Sequence, residues 1–226
     1  MGPSFSVSIN ARSYDKKGTE DGIDEALRSA ANGAAVFPLI TRSALESNLG
    51  SFDDAIDYFN THSMIMPGYL IVAGKNQGEG AIVTKNGSST NANILRLFDP
   101  AVRDDGGGDW FVVQTNTDHW LQAPNYPGYK NTSRRGTAYH SLTSVGPDSI
   151  DFDHLWDVLS TKPVENAATI HRDFAFAANG IYETFKVHGP FFNLSFNLLL
   201  LSLCIYYISG RVCLFLVWCD VFVFFL

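Results

Sequence analysis

The 226-residue chain is long enough to bury one ordinary globular core, and nothing in its length demands a second domain. Its net charge of −7, from 16 Lys and Arg against 23 Asp and Glu with no basic stripe, excludes the electrostatic footprint of a phosphate-backbone binder, so nucleic acid is not an expected partner. The three cysteines, Cys204, Cys213 and Cys219, all fall near the C-terminal end, which leaves the rest of the chain without a disulfide, a thiolate ligand or a cysteine nucleophile of its own.

The chain opens Met1-Gly2-Pro3 and passes straight into "SFSVSIN", without the basic and then apolar regions of a secretory signal. Ser6 to Asn10 alternates as a half-buried strand. Thr19 to Ala31 then sets Ile23, Ala26 and Leu27 at helical spacing, with Glu20, Asp21, Asp24 and Glu25 early, where acids favour a helix start. Two further helices are expected in "TRSALESNL" and "SFDDAIDYFNTH", both facing the core. In the second, Ser51 can cap towards Asp54 while Ile56 and Phe59 share a face.

From Tyr69 the period shortens to "YLIVA", "AIVT", "ILRLF" and "WFVVQT", separated by Gly, Asn and Asp, which predicts an antiparallel meander. Helices over Arg134 to Ser144 and Asp153 to Ser160 follow. "TIHRDFAFAANGIYETFKV" then carries Asn179-Gly180 between apolar runs, a hairpin signal. Helices, strands, helices and strands in this order predict an α+β layered domain over residues 1–189. Composition breaks near Pro190. Residues 190–226 form an apolar tail, read either as an aberrant C-terminus, the favoured reading, or as a candidate membrane segment starting with Phe191 to Ser209.

Several local patterns lead to no chemistry. "GKNQGEG" (Gly74 to Gly80) lacks the Lys-Ser or Lys-Thr and the following helix of a phosphate loop, and reads as a hairpin turn. "RDDGGGD" (Arg103 to Asp109) lacks the ligand spacing of a calcium loop, and the six histidines show no paired spacing on a helix face, so no metal is assigned. No Gly-x-Ser-x-Gly elbow is present. Asn86, Asn131 and Asn193 head glycosylation sequons. The strand "WFVVQT" delivers Asn116, Asp118, His119 and Trp120 at its end, as a rigid element presenting a site would. A strand end capped by Asx-turn chemistry would carry the same residues.

Taken together, "WFVVQTNTDHW", "RRGTA" from Arg134, "DHLWDVLSTKPV" from Asp153, "GYLIVAGKNQGEGAIVTK" from Gly68 and "SFSVSINAR" resemble the acid ceramidase and N-acylethanolamine-hydrolysing acid amidase family, in order and in spacing. The resemblance covers about Phe5 to Val187.

It implies an N-terminal-nucleophile hydrolase: an αββα sandwich, here incomplete, in which a cysteine freed as a new N-terminus attacks the carbonyl of a lipid amide, with its own α-amino group as base. It implies no cofactor, a lysosomal setting, and an upstream α-subunit-like segment of the same precursor as partner. Asn116 matches the family's active-site asparagine, whose N–H suits a developing oxyanion, and Arg134 matches the first of its paired arginines, with Arg135 as the alternative.

Two departures stand out. The nucleophilic cysteine, with the Arg and Asp that follow it, lies upstream of the matched region in the family. Ala11 also replaces the glutamate of the family's Asn-Glu-Arg. The expectation is therefore an N-terminally truncated member, inactive alone, whose full-length relative hydrolyses a ceramide or an N-acylethanolamine. "VLSTKPV" leans to the ceramidase side, and the tail cysteines are expected to be inert. The alternative is a non-enzymatic lipid- or partner-binding remnant with its tail in contact with a membrane.

Overall fold

Alternation at period two builds the first sheet. β1 (Phe5–Ala11), β2 (Gly68–Gly74), β3 (Gly80–Lys85) and β4 (Asn93–Arg96) pair antiparallel in that order, with Val7 opposite Val72 and Val72 opposite Ala81. The computed structural model describes residues 4–12, 19–87, 92–98, 110–121, 133–167, 169, 171–176, 180–186, 203–208, 211–216 and 222–225. The turn at Gly74 to Gly80 is a hairpin connection, as expected: Gly74 N–H donates to the Glu79 carbonyl at 2.7 Å, and Glu79 N–H to that of Asn76 at 3.2 Å.

One face of this sheet carries Phe5, Val7, Leu70, Val72, Ala81 and Val83 against two helices, α2 (Phe37–Glu46) and α3 (Phe52–Thr61), which contribute Ile40, Ala44, Ala55, Ile56 and Phe59. Burying each of the Val, Leu, Ile and Phe side chains here stabilises by about 1.5–3 kcal/mol, so this face dominates the local energetics. Ser51 caps α3 as expected, its Oγ accepting from Asp54 N–H at 3.1 Å. α2 begins at Phe37, earlier than the apolar spacing suggested: Pro38 suits the first turn of a helix, and Phe37 packs into the space left by Gly68, where a Cβ would lie 1.7 Å from its ring.

The opposite face carries Tyr69, Ile71, Ile82, Leu95 and Leu97, and these pack on Val112 of β5 (Phe111–Gln114). β5 thus stacks on the first sheet instead of extending the meander, which corrects the expected strand order. Its pairing partner is β10 (Phe222–Phe225), with Val112 opposite Phe224. The far face of β5, with Phe111 and Val113, meets α4 (Arg134–Val145) and α5 (Phe152–Ser160) through Ala138, Leu142, Leu155 and Val158. Asp151 caps α5, accepting from His154 N–H at 2.9 Å. Phe174 and Phe185, from the hairpin of β6 (His171–Phe176) and β7 (Ile181–Lys186), join the same cluster. Gly180, at φ +64°, supplies the left-handed residue that leads into β7. The layers run helix, sheet, sheet, helix.

Two further parts complete the fold. α1 (Thr19–Ala31) has the expected bounds, but Ile23 and Leu27 are 60% and 64% exposed, because α2 and α3 already cover the helix-facing side of the first sheet. Within the apolar tail, β8 (Leu203–Ile208) and β9 (Arg211–Leu216) form an antiparallel hairpin, and residues 191–202 lie outside the described ones. Among the described residues, no helix is long and apolar enough to cross a membrane.

Lys85 points to the helix side of β3 and is fully buried, its Nζ donating to the Asn60 carbonyl at 2.8 Å near the C-terminal end of α3, where the helix dipole favours a cation. Burial still lowers its pKa from 10.5 to about 8. Between those two values the unfolded chain binds the proton more tightly than the native one, so native stability increases as pH rises through that window. Urea denaturation of the wild type from pH 8 to 10.5 is expected to show that increase relative to Lys85→Met, in which it is abolished.

Candidate active site

The site forms where the two sheets meet at their strand ends. Asn10 lies opposite Tyr69 in the β1–β2 register, which puts both on the side facing β5. On β5, Val112 takes the side facing the first sheet and Gln114 follows it at period two, after which the chain bends at Asn116. Residues 106 apart in sequence therefore meet: Asn116 Nδ2 donates to Asn10 Oδ1 at 2.9 Å, and also to the Ala11 carbonyl at 3.0 Å.

α4 supplies the third element. Ser133 caps it by accepting from Gly136 N–H at 3.0 Å, which sets Arg134 at the first helical turn with its Nη2 donating to Asn116 Oδ1 at 2.5 Å. A guanidinium only donates, so Asn116 must turn its oxygen to Arg134 and its nitrogen to β1. The orientation of the amide follows from the chemistry of its neighbours. Arg135, the alternative to Arg134, serves elsewhere: it is 2% exposed and its Nη1 donates to the Val113 carbonyl, tying α4 to β5.

A second polar cluster braces the same strand ends. Arg12 and Asp118 form a two-pronged ion pair, Nε to Oδ1 and Nη2 to Oδ2, both at 2.6 Å. Tyr69 Oη donates to Asp118 Oδ1 at 2.7 Å. Arg12 Nη1 also donates to the Lys85 carbonyl at 3.4 Å and to Asn86 Oδ1, and its guanidinium lies 5.7 Å from the Trp120 ring centre. The hydrogen bonds to Asp118 raise the Arg12 pKa against the opposing effect of burial. Burial, followed by the Asp118 hydrogen bond, raises that of Tyr69. Charged-pair geometry of this kind is among the strongest that side chains make.

His119 opens a short 3-10 turn, His119–Leu121, and is buried beside Trp120. Burial, with the Arg135 charge adding to it and Asp118 opposing it, lowers its pKa to about 4. The imidazole is therefore neutral through mildly acidic pH. Among the described residues, no group of three or more His, Cys, Asp or Glu could hold a metal ion.

Of the residues singled out in the sequence, Asn116 and Arg134 are brought into direct contact and Arg135 is not part of that contact. Asn86 is exposed just after β3, and its side-chain oxygen accepts from Arg12; Asn131 and Asn193 lie outside the described residues, as does the loop Arg103 to Asp109. Asn10 and Arg12 stand in the sequence as the flanks of the Ala11 departure from the family's Asn-Glu-Arg, and Tyr69 as a strand residue, none of them with a site role of its own. The signal for the first two was the run Asn10-Ala11-Arg12, in which two polar side chains at the end of a strand of alternating apolar residues share one face.

No protein-family model matches the chain. The acid ceramidase of Pan troglodytes is 31% identical over 186 residues, 82% of this chain and 43% of that protein. The acid ceramidase of Homo sapiens is 32% identical over 151 residues, 67% of this chain and 35% of that protein. The N-acylethanolamine-hydrolyzing acid amidase of Caenorhabditis elegans is 31% identical over 166 residues, 74% of this chain and 41% of that protein. Among solved structures, the Caenorhabditis elegans N-acylethanolamine-hydrolyzing acid amidase ortholog superposes with a TM-score of 0.60 at 29% identity, over 78% of this chain and 68% of that one.

The chain belongs to the acid ceramidase and N-acylethanolamine-hydrolysing acid amidase family. It spans 43% or less of the length of these curated relatives. Its α+β layering is that of the N-terminal-nucleophile hydrolase fold of its structural neighbour.

The brace and the buried imidazole each give an expected outcome. Asp118→Ala leaves Arg12 without its counter-charge and is expected to cost about 3 kcal/mol, the low end for a buried pair because both partners retain some contact with water. Tyr69→Phe is expected to cost about 1 kcal/mol, both read by chemical denaturation. The unfolded chain binds a proton at His119 more tightly than the native one, with pKa 6.5 against about 4, so native stability falls as pH drops through that window. His119→Gln is expected to flatten this part of the stability profile.

Proposed function

We propose that the chain carries the carbonyl-binding part of a lipid amide hydrolase, which converts a fatty-acid amide to a free fatty acid and an amine. The observation that carries this reading is the contact of Arg134 with Asn116 at 2.5 Å, with the Asn116 amide held at the junction of the two sheets. Amide hydrolysis puts negative charge on the carbonyl oxygen in the transition state, and oriented N–H donors with a guanidinium nearby stabilise that charge without reorganising at the moment of reaction. The matched relatives, which are acid ceramidases and an N-acylethanolamine-hydrolysing acid amidase, support the substrate class.

In this reading a thiol attacks the carbonyl carbon, the C–N bond breaks with a proton passing to the departing amine, and water then releases the acid from the thioester. The first cysteine in the sequence is Cys204, inside β8, and the tail cysteines are proposed to take no part. The thiol is instead proposed to be supplied by an upstream segment of the same precursor, as the family resemblance implies. The setting is proposed to be an acidic, lysosomal compartment, in which His119 remains largely neutral down to about pH 4. Asn86 is retained as a proposed glycosylation position because it is exposed.

Release of fatty acid from an N-acylethanolamine and from a ceramide, followed at acidic pH in the precursor that includes the thiol, tests this reading. Asn116→Ala is expected to lower the rate about a hundredfold with the protein still folded. Replacing Cys204, Cys213 and Cys219 together by Ser is expected to leave the rate unchanged. No release of either fatty acid would overturn the reading.

A further inference from the structure

The described hydrogen bonds leave Asn116 with nothing to offer a carbonyl oxygen. Its Nδ2 has two hydrogens, and both are engaged, one by Asn10 Oδ1 and one by the Ala11 carbonyl. Its Oδ1 is fixed on Arg134, which cannot accept, so the amide cannot simply turn over.

The neighbouring amide has the complementary imbalance. Asn10 is 3% exposed, its Oδ1 accepts from Asn116, and its Nδ2 is buried with no partner among the described residues. An amide nitrogen buried without an acceptor is a costly arrangement.

We propose that Asn10 is the second amide of the carbonyl-binding site, a donor to the ligand's oxygen that is stored against Asn116 while the site is empty. The proposal rests on the amide-hydrolase reading and names a further residue for it. Rotating the Asn10 side chain withdraws Oδ1 from Asn116 and swings Nδ2 to the side of the vacated position, which the ligand's oxygen then fills as the acceptor of the Asn116 N–H. Two N–H groups, one from Asn10 and one from Asn116, are then available to that one oxygen. A carbonyl oxygen has two lone pairs and accepts both.

The hydrogen-bond count supports the exchange. The closed pair makes one bond between the two amides, and the open pair makes two to the ligand oxygen, while Asn116 keeps its second N–H on the Ala11 carbonyl and its oxygen on Arg134. Without an incoming oxygen the open pair would leave two donors without an acceptor, so the closed pair is preferred. With one, and more so as negative charge develops on it, the open pair is preferred. A single approaching atom therefore selects the state, and the stored donor leaves the site when it empties. The backbone at Ala11 and the guanidinium of Arg134 hold Asn116 in place throughout, so the moving part is the Asn10 side chain.

The probe is N-lauroylethanolamine, a neutral lipid amide, titrated into the full chain carrying 15N-labelled asparagine side chains. The side-chain amide signals of both Asn10 and Asn116 are expected to shift together along one binding curve. Asn10→Asp keeps the acceptor that holds Asn116 but cannot donate, and Asn10→Leu does neither; each is expected to weaken binding about tenfold, the loss of roughly one hydrogen bond. If the wild type binds and only the Asn116 signals move, or if both variants bind as the wild type does, the role of Asn10 is overturned while the amide-hydrolase reading stands. If the wild type does not bind the amide, both fall. The wild-type spectra decide the matter even where a variant fails to fold.

Discussion

The packing of the first sheet on β5 is the constraint from which the site follows. Tyr69, Ile71, Ile82, Leu95 and Leu97 meet Val112 in a buried layer, and that layer fixes how far apart the two backbones run and which side chains share the gap beyond it. Past the end of the apolar layer the end of β1 brings Asn10 and Arg12, and the bend after β5 brings Asn116 and Asp118. Polar groups are thus forced together at the edge of a hydrophobic contact, where each must find a partner. They do so in pairs that cross the gap: Asn10 with Asn116, and Arg12 with Asp118.

The two pairs divide the work. The ion pair is strong, two-pronged and reinforced by Tyr69, and it fixes the separation of β1 from the chain following β5. The amide pair is weaker and lies nearer α4, where Arg134 reaches it. A rigid brace beside a rearrangeable pair suits a site that must hold its geometry while exchanging one hydrogen bond. Ala11 leaves the position between Asn10 and Arg12 without a carboxylate, so the only acceptor it offers the site is its backbone carbonyl, and that is the group Asn116 uses.

Much of the helix content was legible because local rules decided it. Ser51 and Asp151 cap their helices through side-chain oxygens, and the apolar face of α3 is the one that its spacing marks. α1 had a similar spacing and the right bounds, yet Ile23 and Leu27 face solvent, because a helix buries its stripe only where a surface is left to cover. β5 read as one more strand of a meander since its composition is that of a buried strand. Nothing within "WFVVQT" distinguishes pairing beside β4 from stacking across β2 and β3.

The sequence by itself determined most of the strands and helices between Phe5 and Lys186, where the polar end of β5 falls, and, through its motifs, the amidase family in which Asn116 and Arg134 are the expected site residues. Periodicity and side-chain chemistry are local, and a short run of residues carries them in full. Only the tertiary structure decided that Arg134 and not Arg135 reaches Asn116, and that Asn10, Arg12 and Tyr69 share the site. The rotation of α4 on β5 sets the first, and face-to-face packing of strands from distant parts of the chain sets the second. Both are long-range geometry, which no stretch of sequence contains.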